Sequence, residues 1–219
     1  MRLVVRAGQV RLSVPRGLAD AEARSFVERL LPWLRKHLCT DVNQEQRADS
    51  AFQLTDGGSV PIFGEVRRIA LSADGAPHHL NAETLTLLAR PGEKQLICAQ
   101  KQLLNALHAS LQAEVYSQVR HYSEVLQVSP RKITLKAMQS RWGSLGPDNA
   151  MSLNLALVFA PLPCTAYVVA HELCHMLERN HSPRFWMHVT RAYPTWQREH
   201  RWLRQHYGYL MELKRRLLS

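Results

Sequence analysis

No run of about 18 apolar residues occurs in this sequence of 219 residues, which excludes a membrane-spanning helix. The opening Met1-Arg2-Leu3-Val4-Val5-Arg6 lacks a long apolar stretch and a small-residue cleavage site, so no secretory leader is predicted and a cytoplasmic location is expected. The four cysteines, Cys39, Cys98, Cys164 and Cys174, form no C-x-x-C pair. Scattered thiols suit a reducing compartment and exclude a disulfide framework. There is no P-loop pattern, internal repeat or low-complexity tract. Acidic residues are also short, 18 against 28 lysines and arginines, for a net charge of +10. A basic surface attracts nucleic acid and nucleotides, although a solvated basic exterior is the simpler reading. What is present, 46% hydrophobic and 21% charged residues, fits a globular chain of one domain or one with a small appendage.

The first part, residues 1–95, reads as β-rich with one helix. Leu3–Arg6 and Val10–Val14 flank Ala7-Gly8-Gln9 as a hairpin, ended by Pro15-Arg16-Gly17. A helix is predicted from Ala21 to Leu38, capped by Asp20 and kinked or broken at Pro32, with 40–50 as a polar loop. Phe52–Leu54, Val60–Phe63, Arg67–Leu71 and Leu85–Ala89 read as strands between turns at Asp56-Gly57-Gly58, Gly64, 73–77 and Pro91-Gly92; His78 and His79 fall in a loop. Residues 96–219 hold the remaining elements. Leu103, Leu107, Leu111, Val115, Val119, Tyr122 and Leu126 recur at helical spacing, so a long helix is predicted over 100–126. Strands follow at Ile133–Ala137 and Met151–Leu157, paired as neighbours in one sheet. A helix from about Leu162 to Arg179 comes next, with Asn180 as a left-handed end, then a helix starting at Ser182-Pro183 and a basic final helix from Trp196 to Leu217.

The chemistry concentrates in His171-Glu172-Leu173-Cys174-His175, an H-E-x-x-H. On a helix, residues four apart share a face, so His171 and His175 can grip one zinc ion with Glu172 beside it as general base. His181 completes the one, five, eleven spacing of the H-E-x-x-H-x-x-G-x-x-H zinc proteases. Three protein ligands leave the fourth position for water, the catalytic arrangement. Glu178 is the alternative third ligand. A straight helix would string His171, His175 and Glu178 over about 10 Å of axis, so His181, able to fold back, is favoured. The glycine of those proteases is absent here, so the chain turn is placed later, around Asn180. Cys174 points about 100° away from His175 and reads as a buried thiol. His188, His200 and His206 could reach the metal in principle but read as surface or packing residues, and Trp186, Trp196 and Trp202 as core.

These residues resemble the YgjP-like metallopeptidases, zincin-like proteins related to the SprT and WLM groups. Arg141-Trp142-Gly143-Ser144 is similar to the family's R-W-G-S-C, with Leu145 where cysteine is usual. Leu153-Asn154 with Leu157 and Pro161 is similar to its strand and following proline; Tyr167-Val168-Val169 with His171–His175 to its Y-V-V-x-H-E-L-x-H; Asn180-His181-Ser182 with Phe185-Trp186 to its N-H-S-x-x-F-W. The likeness is strong over 100–200, and Val10–Pro15 and Trp33 fit the opening. It implies an α+β fold with a zincin-like, minigluzincin-type core, one zinc per chain on His171, His175 and His181, and Glu172 as the catalytic residue. It also implies a hairpin of Ile133–Ala137 and Met151–Leu157 edging the cleft, where an extended peptide adds as a strand. Arg141 and Asn154 are the candidate substrate-binding residues. Leu145 argues against a thiol ligand at its position.

The leading function is a zinc-dependent hydrolase acting on peptide or protein. A nucleoside triphosphate pyrophosphatase acting on UTP is the alternative, since some family members carry that description and zinc chemistry suits phosphoanhydrides. A DNA-associated module using the basic final helix is the third.

Overall fold

Two contiguous units, Met1–Ser50 and Ala51–Ser219, make up the chain in the computed structural model. It describes residues 1–6, 9–15, 17–75, 78–89 and 95–219, and the side chains of these outside 2–11, 33–46 and 49. In the first unit the predicted hairpin forms: β1 (Arg2–Arg6) pairs antiparallel with β2 (Gln9–Ser13), Arg6 opposite Gln9. Ala7, Gly8, Arg16, Ala76, Pro77, Pro91 and Gly92, named above for turns, lie outside the described residues, as does the side chain of Trp33. Helix α1 (Asp20–Ala51) departs from expectation. It runs through Pro32 unbroken and continues over 40–50, where a loop was predicted. One proline removes a single helical donor, and no glycine or second proline follows before Ala51. Polarity alone does not end a helix.

The second unit starts with a four-stranded sheet, β3 (Ser59–Ile62), β4 (Glu65–Ser72), β5 (His78–Leu80) and β6 (Thr84–Leu88), in the order β3-β4-β6-β5. The β3–β4 hairpin turns on Phe63 and Gly64, at φ +52° and +82°. Both positive values match the tight turn that follows strand twist. Phe63 N–H also donates to the Val158 carbonyl at 2.7 Å, tying the hairpin to the elements that carry the site. Phe52–Leu54 is not a strand, although Gln53 N–H donates to the Ser59 carbonyl. His78 and His79, predicted in a loop, pair with Leu87 and Thr86 in β5.

Helix α2 (Gln95–Leu126) buries the predicted stripe from Leu103 to Leu126. It packs beneath α3 (Leu162–Cys174), which is apolar almost all round. Each of its fully buried Val and Leu side chains contributes roughly 1.5–3 kcal/mol over an exposed position, enough to seat a costly carboxyl among them. A second sheet runs β7 (Lys132–Lys136), β9 (Ala150–Asn154), β8 (Gly143–Leu145). Here the implied hairpin is corrected. β7 and β9 are parallel, Ile133 opposite Met151, and β8 lies antiparallel on the other side of β9, as the edge strand nearer the site. The returning strand also stops at Asn154: residues 155–159 form a 3-10 turn, because the Asn154 side chain accepts the Ala156 N–H and caps it. Leu153, Leu155 and Leu157 alternate like a strand, but 155–159 are buried on every side.

Three helices close the chain: α4 (Pro183–Ala192), α5 (Trp196–Gln205) and α6 (Tyr207–Leu218). The single final helix predicted is broken at His206. Its basic face is also smaller than predicted. Lys214 is buried, its ammonium donating to the Met138 carbonyl, and Arg215 and Arg216 pair with Glu212. Among the described residues no helix is long and apolar enough to cross a membrane.

Candidate metal centre

Helix α3 ends earlier than the sequence suggests. Its last helical residue is Cys174, not Arg179. Met176 N–H and Leu177 N–H donate to the carbonyls three residues back, both at 3.0 Å, so the open carbonyls are satisfied by a tightened turn. No left-handed residue is needed, and Asn180 is not one. The helix thus ends in a tightened turn over 175–178, and the chain beyond it returns His181 to the same place.

The three imidazoles meet there. His171 Nε2 lies 3.1 Å from His181 Nε2. His175 gives its Nδ1 to the Glu178 carbonyl at 3.1 Å, which leaves its Nε2 for the centre. Among the described residues His171, His175 and His181 are the group able to hold a metal, with one donor atom each and all within 4.8 Å of one another. Glu178 and Cys174 stand outside it: Glu178 contributes a backbone carbonyl, and Cys174 is fully buried with its thiol pushed up to about 12 by burial. Phe185 forms the floor. Its ring stacks on His175 at 4.4 Å and meets His171 and His181 edge-on at 4.9 and 4.7 Å. Ser182 fixes that floor by capping α4, its hydroxyl accepting the Phe185 N–H at 3.3 Å.

Burial drives the His171 pKa down to about 3, with His175, His181 and His200 adding to it, which favours the neutral imidazole that a metal ligand must be. Three imidazole nitrogens are the donor set of a zinc-type ion rather than of calcium or magnesium. The nitrogens of a tetrahedral zinc site stand about 3.3 Å apart, by the usual Zn–N length of about 2.0–2.1 Å, and the His171–His181 separation is close to that. The residues fit the ion.

Glu172 sits beside them, 6% exposed. Burial pushes its carboxyl up to about 7, against the pull of the Arg141 guanidinium. Its side chain rests on the backbone of β8: a Cβ built at Gly143 would stand 2.6 Å from Oε1 and 2.7 Å from Cγ. Gly143 is thus the only residue type that lets the edge strand approach the carboxyl. A cleft of about 730 Å³ opens over the site, lined by β8, Arg141, the three histidines and Trp186 among others.

Arg141 and Asn154, paired as substrate contacts by the sequence, separate in the structure. Arg141 lines the cleft. Asn154 is fully buried and has no polar atom to spare: Nδ2 donates to the carbonyls of Met138 (3.0 Å) and Arg141 (2.7 Å) while Oδ1 accepts from Ala156. It holds the 138–141 segment that carries Arg141 and does not face substrate. Tyr207 secures the same segment through the Gln139 carbonyl at 2.9 Å. On the other side Arg179 donates to the Gly146 carbonyl (2.9 Å) and Asn149 Oδ1 (2.5 Å), linking the histidine segment to the β8–β9 turn.

The family description "YgjP-like, metallopeptidase domain" matches residues 1–206. The chain belongs to the YgjP-like family. α6 lies beyond the matched residues, although Tyr207 and Lys214 both fasten the segment behind Arg141. Among solved structures, this YgjP-like chain is similar to one described as the crystal structure of the metallopeptidase zymogen of Pyrococcus abyssi abylysin. They share 18% identity over 42% of this chain and 93% of that one, with a TM-score of 0.38. No curated protein matches the chain.

Two residues of the site were given no role there by the sequence: Tyr167 entered only as part of a motif, and His200 was read as a surface or packing residue. Tyr167, on the His171 face of α3, brings its hydroxyl within 3.4 Å of His171 Nδ1. His200, from α5, lies 3.1 Å from the same hydroxyl through Nδ1. Counting back four residues from His171 would have found the tyrosine. Nothing in the spacing points to His200.

Proposed function

We propose that the chain is a zinc-dependent peptidase in which His171, His175 and His181 hold the ion and Glu172 is the general base. The observation that carries this reading is the convergence of three imidazole donors within 4.8 Å, next to a buried carboxyl raised to about 7. Bound there, zinc would supply a Lewis acid that lowers the pKa of water and polarises a carbonyl. The carboxylate of Glu172 takes the proton of the attacking water and delivers it to the leaving amine nitrogen. A pKa close to working pH suits a group that must accept and then release a proton. Gly143 keeps that carboxyl at the edge strand, and β8 offers its free side to an extended substrate, main chain to main chain. Arg141, beside the cleft, orients a carbonyl or carboxylate of the substrate. The matched family description names a metallopeptidase domain, which supports peptide chemistry, and it makes no mention of nucleotides.

The test uses purified protein with casein and UTP as substrates. Wild type should cut casein, and chelation should stop it. Glu172→Gln should keep full zinc content and lose turnover. UTP hydrolysis without casein cleavage, both in wild type, would replace the peptidase reading.

A further inference from the structure

We propose that Tyr167 and His200 are positioning residues: their hydrogen-bond chain selects the tautomer of His171 and so sets how tightly the three histidines hold metal. This rests on the metal-site reading above. Tyr167 is 4% exposed, and its ring packs edge-on against both His171 and His200. Its hydroxyl stands between the two Nδ1 atoms, 3.4 Å from one and 3.1 Å from the other.

A neutral imidazole carries one proton. His171 turns Nε2 towards His181, so coordination requires its proton on Nδ1. That N–H then donates to the Tyr167 oxygen. The phenol has one hydrogen of its own, and it donates to His200 Nδ1. His200 must therefore carry its proton on Nε2. Run in reverse, with His200 Nδ1–H donating to the phenol and the phenol to His171 Nδ1, the chain puts the His171 proton on Nε2 and removes that lone pair from the metal. The two directions exclude each other, because a single phenolic hydrogen serves both contacts. Metal binding and the Nε2–H form of His200 are thus linked through Tyr167. Burial, helped by Arg204, lowers the His200 pKa, which keeps it in the neutral form the chain needs. Removing an outer partner of a ligating histidine typically costs 10- to 100-fold in metal affinity.

The experiment measures zinc affinity by chelator competition in wild type, Tyr167→Phe, His200→Ala, His200→Asn and His181→Ala. Nitrogen-15 NMR of the histidine rings in the zinc-loaded wild type accompanies it. Tyr167→Phe keeps the ring, and its unfolding temperature checks the fold. The expected results are roughly 10- to 100-fold weaker binding for Tyr167→Phe, a smaller loss for His200→Ala, recovery with His200→Asn, whose Oδ1 can accept in place of Nδ1, and a His200 signal with the proton on Nε2. Zinc affinity of Tyr167→Phe within twofold of wild type, or a His200 proton on Nδ1 in the loaded protein, overturns the proposal. His181→Ala separates the two levels. If it too leaves zinc affinity unchanged, the three-histidine site itself fails; if it abolishes binding while Tyr167→Phe does not, only this inference fails.

Discussion

Gly143→Ala adds one methyl group at the point where β8 meets Glu172. The backbone there is open to any residue, since Gly143 is not among the positive-φ glycines, so only the side-chain contact is perturbed. The new Cβ would lie 2.6 Å from Oε1, 2.7 Å from Cγ and 2.8 Å from Cδ. Carbon atoms in contact settle at about 3.5 Å or more, so Glu172 or β8 must move by roughly 0.8 Å. Overpacking of this kind costs about 1–3 kcal/mol of stability. A misplacement near 1 Å can cost about 100-fold in rate, which is about 2.7 kcal/mol on the barrier. The assay is peptide turnover beside zinc content and thermal unfolding. Turnover should fall about 100-fold with zinc content unchanged, because the nearest atoms to the added methyl belong to Glu172 and not to an imidazole. A double-mutant cycle isolates the cause. Glu172→Ala removes the three atoms nearest the new Cβ, so in that background Gly143→Ala should cost under about 0.5 kcal/mol of stability. Equal costs in the two backgrounds, or wild-type turnover in Gly143→Ala, would refute the contact argument.

Asn154→Ala leaves the buried Ala156 N–H unpaired and removes the amide donor to the part-buried Arg141 carbonyl, whereas Met138 keeps Lys214 as a donor. At about 1–3 kcal/mol for each unpaired group, it should lose about 3 kcal/mol, and calorimetry should read a Tm drop of roughly 6–12 °C; an unchanged Tm would contradict the assigned role. Glu212 is held below the usual carboxylate value, chiefly by the Arg215 hydrogen bonds, with Arg216 contributing. A depressed folded pKa stabilises above the unfolded value of about 4.3, and the gain disappears as pH falls through the folded value. The Tm gap between wild type and Glu212→Gln should be open at neutral pH and close on acidification; a gap constant with pH would be inconsistent with the linkage. Zinc added to chelated wild type should raise Tm, by about 4 kcal/mol of stability at a thousandfold excess over Kd, and His181→Ala should lose that response.

Much of the site is legible in the sequence because it is local. His171, Glu172 and His175 lie within one helical turn and a half, where spacing translates directly into position. His181 was reachable for the same reason, even though the turn that returns it was placed at Asn180 instead of over 175–178. The path differs because 3-10 bonds at Met176 and Leu177 do the work for which a left-handed residue was invoked. What was misjudged depends on distant partners. Asn154 looks like a cleft residue until Met138 and Arg141 occupy its amide. The strand order β7-β9-β8 is decided by a three-residue segment too short for a periodic signal. The continuation of α1 over 40–50 shows that a polar stretch without glycine or proline keeps helical geometry open.

The shortness of that edge strand has its own consequence. A long exposed edge recruits copies of itself, ladder upon ladder. Gly143–Leu145 spans three residues, too few rungs to template a fibre. On the proposed reading a guest chain would gain little adhesion from its amides alone, and its side chains would have to supply the rest from the walls of the cleft. Selectivity in such a groove is written by what flanks the scissile bond, and the strand's brevity is a safeguard as well as a constraint.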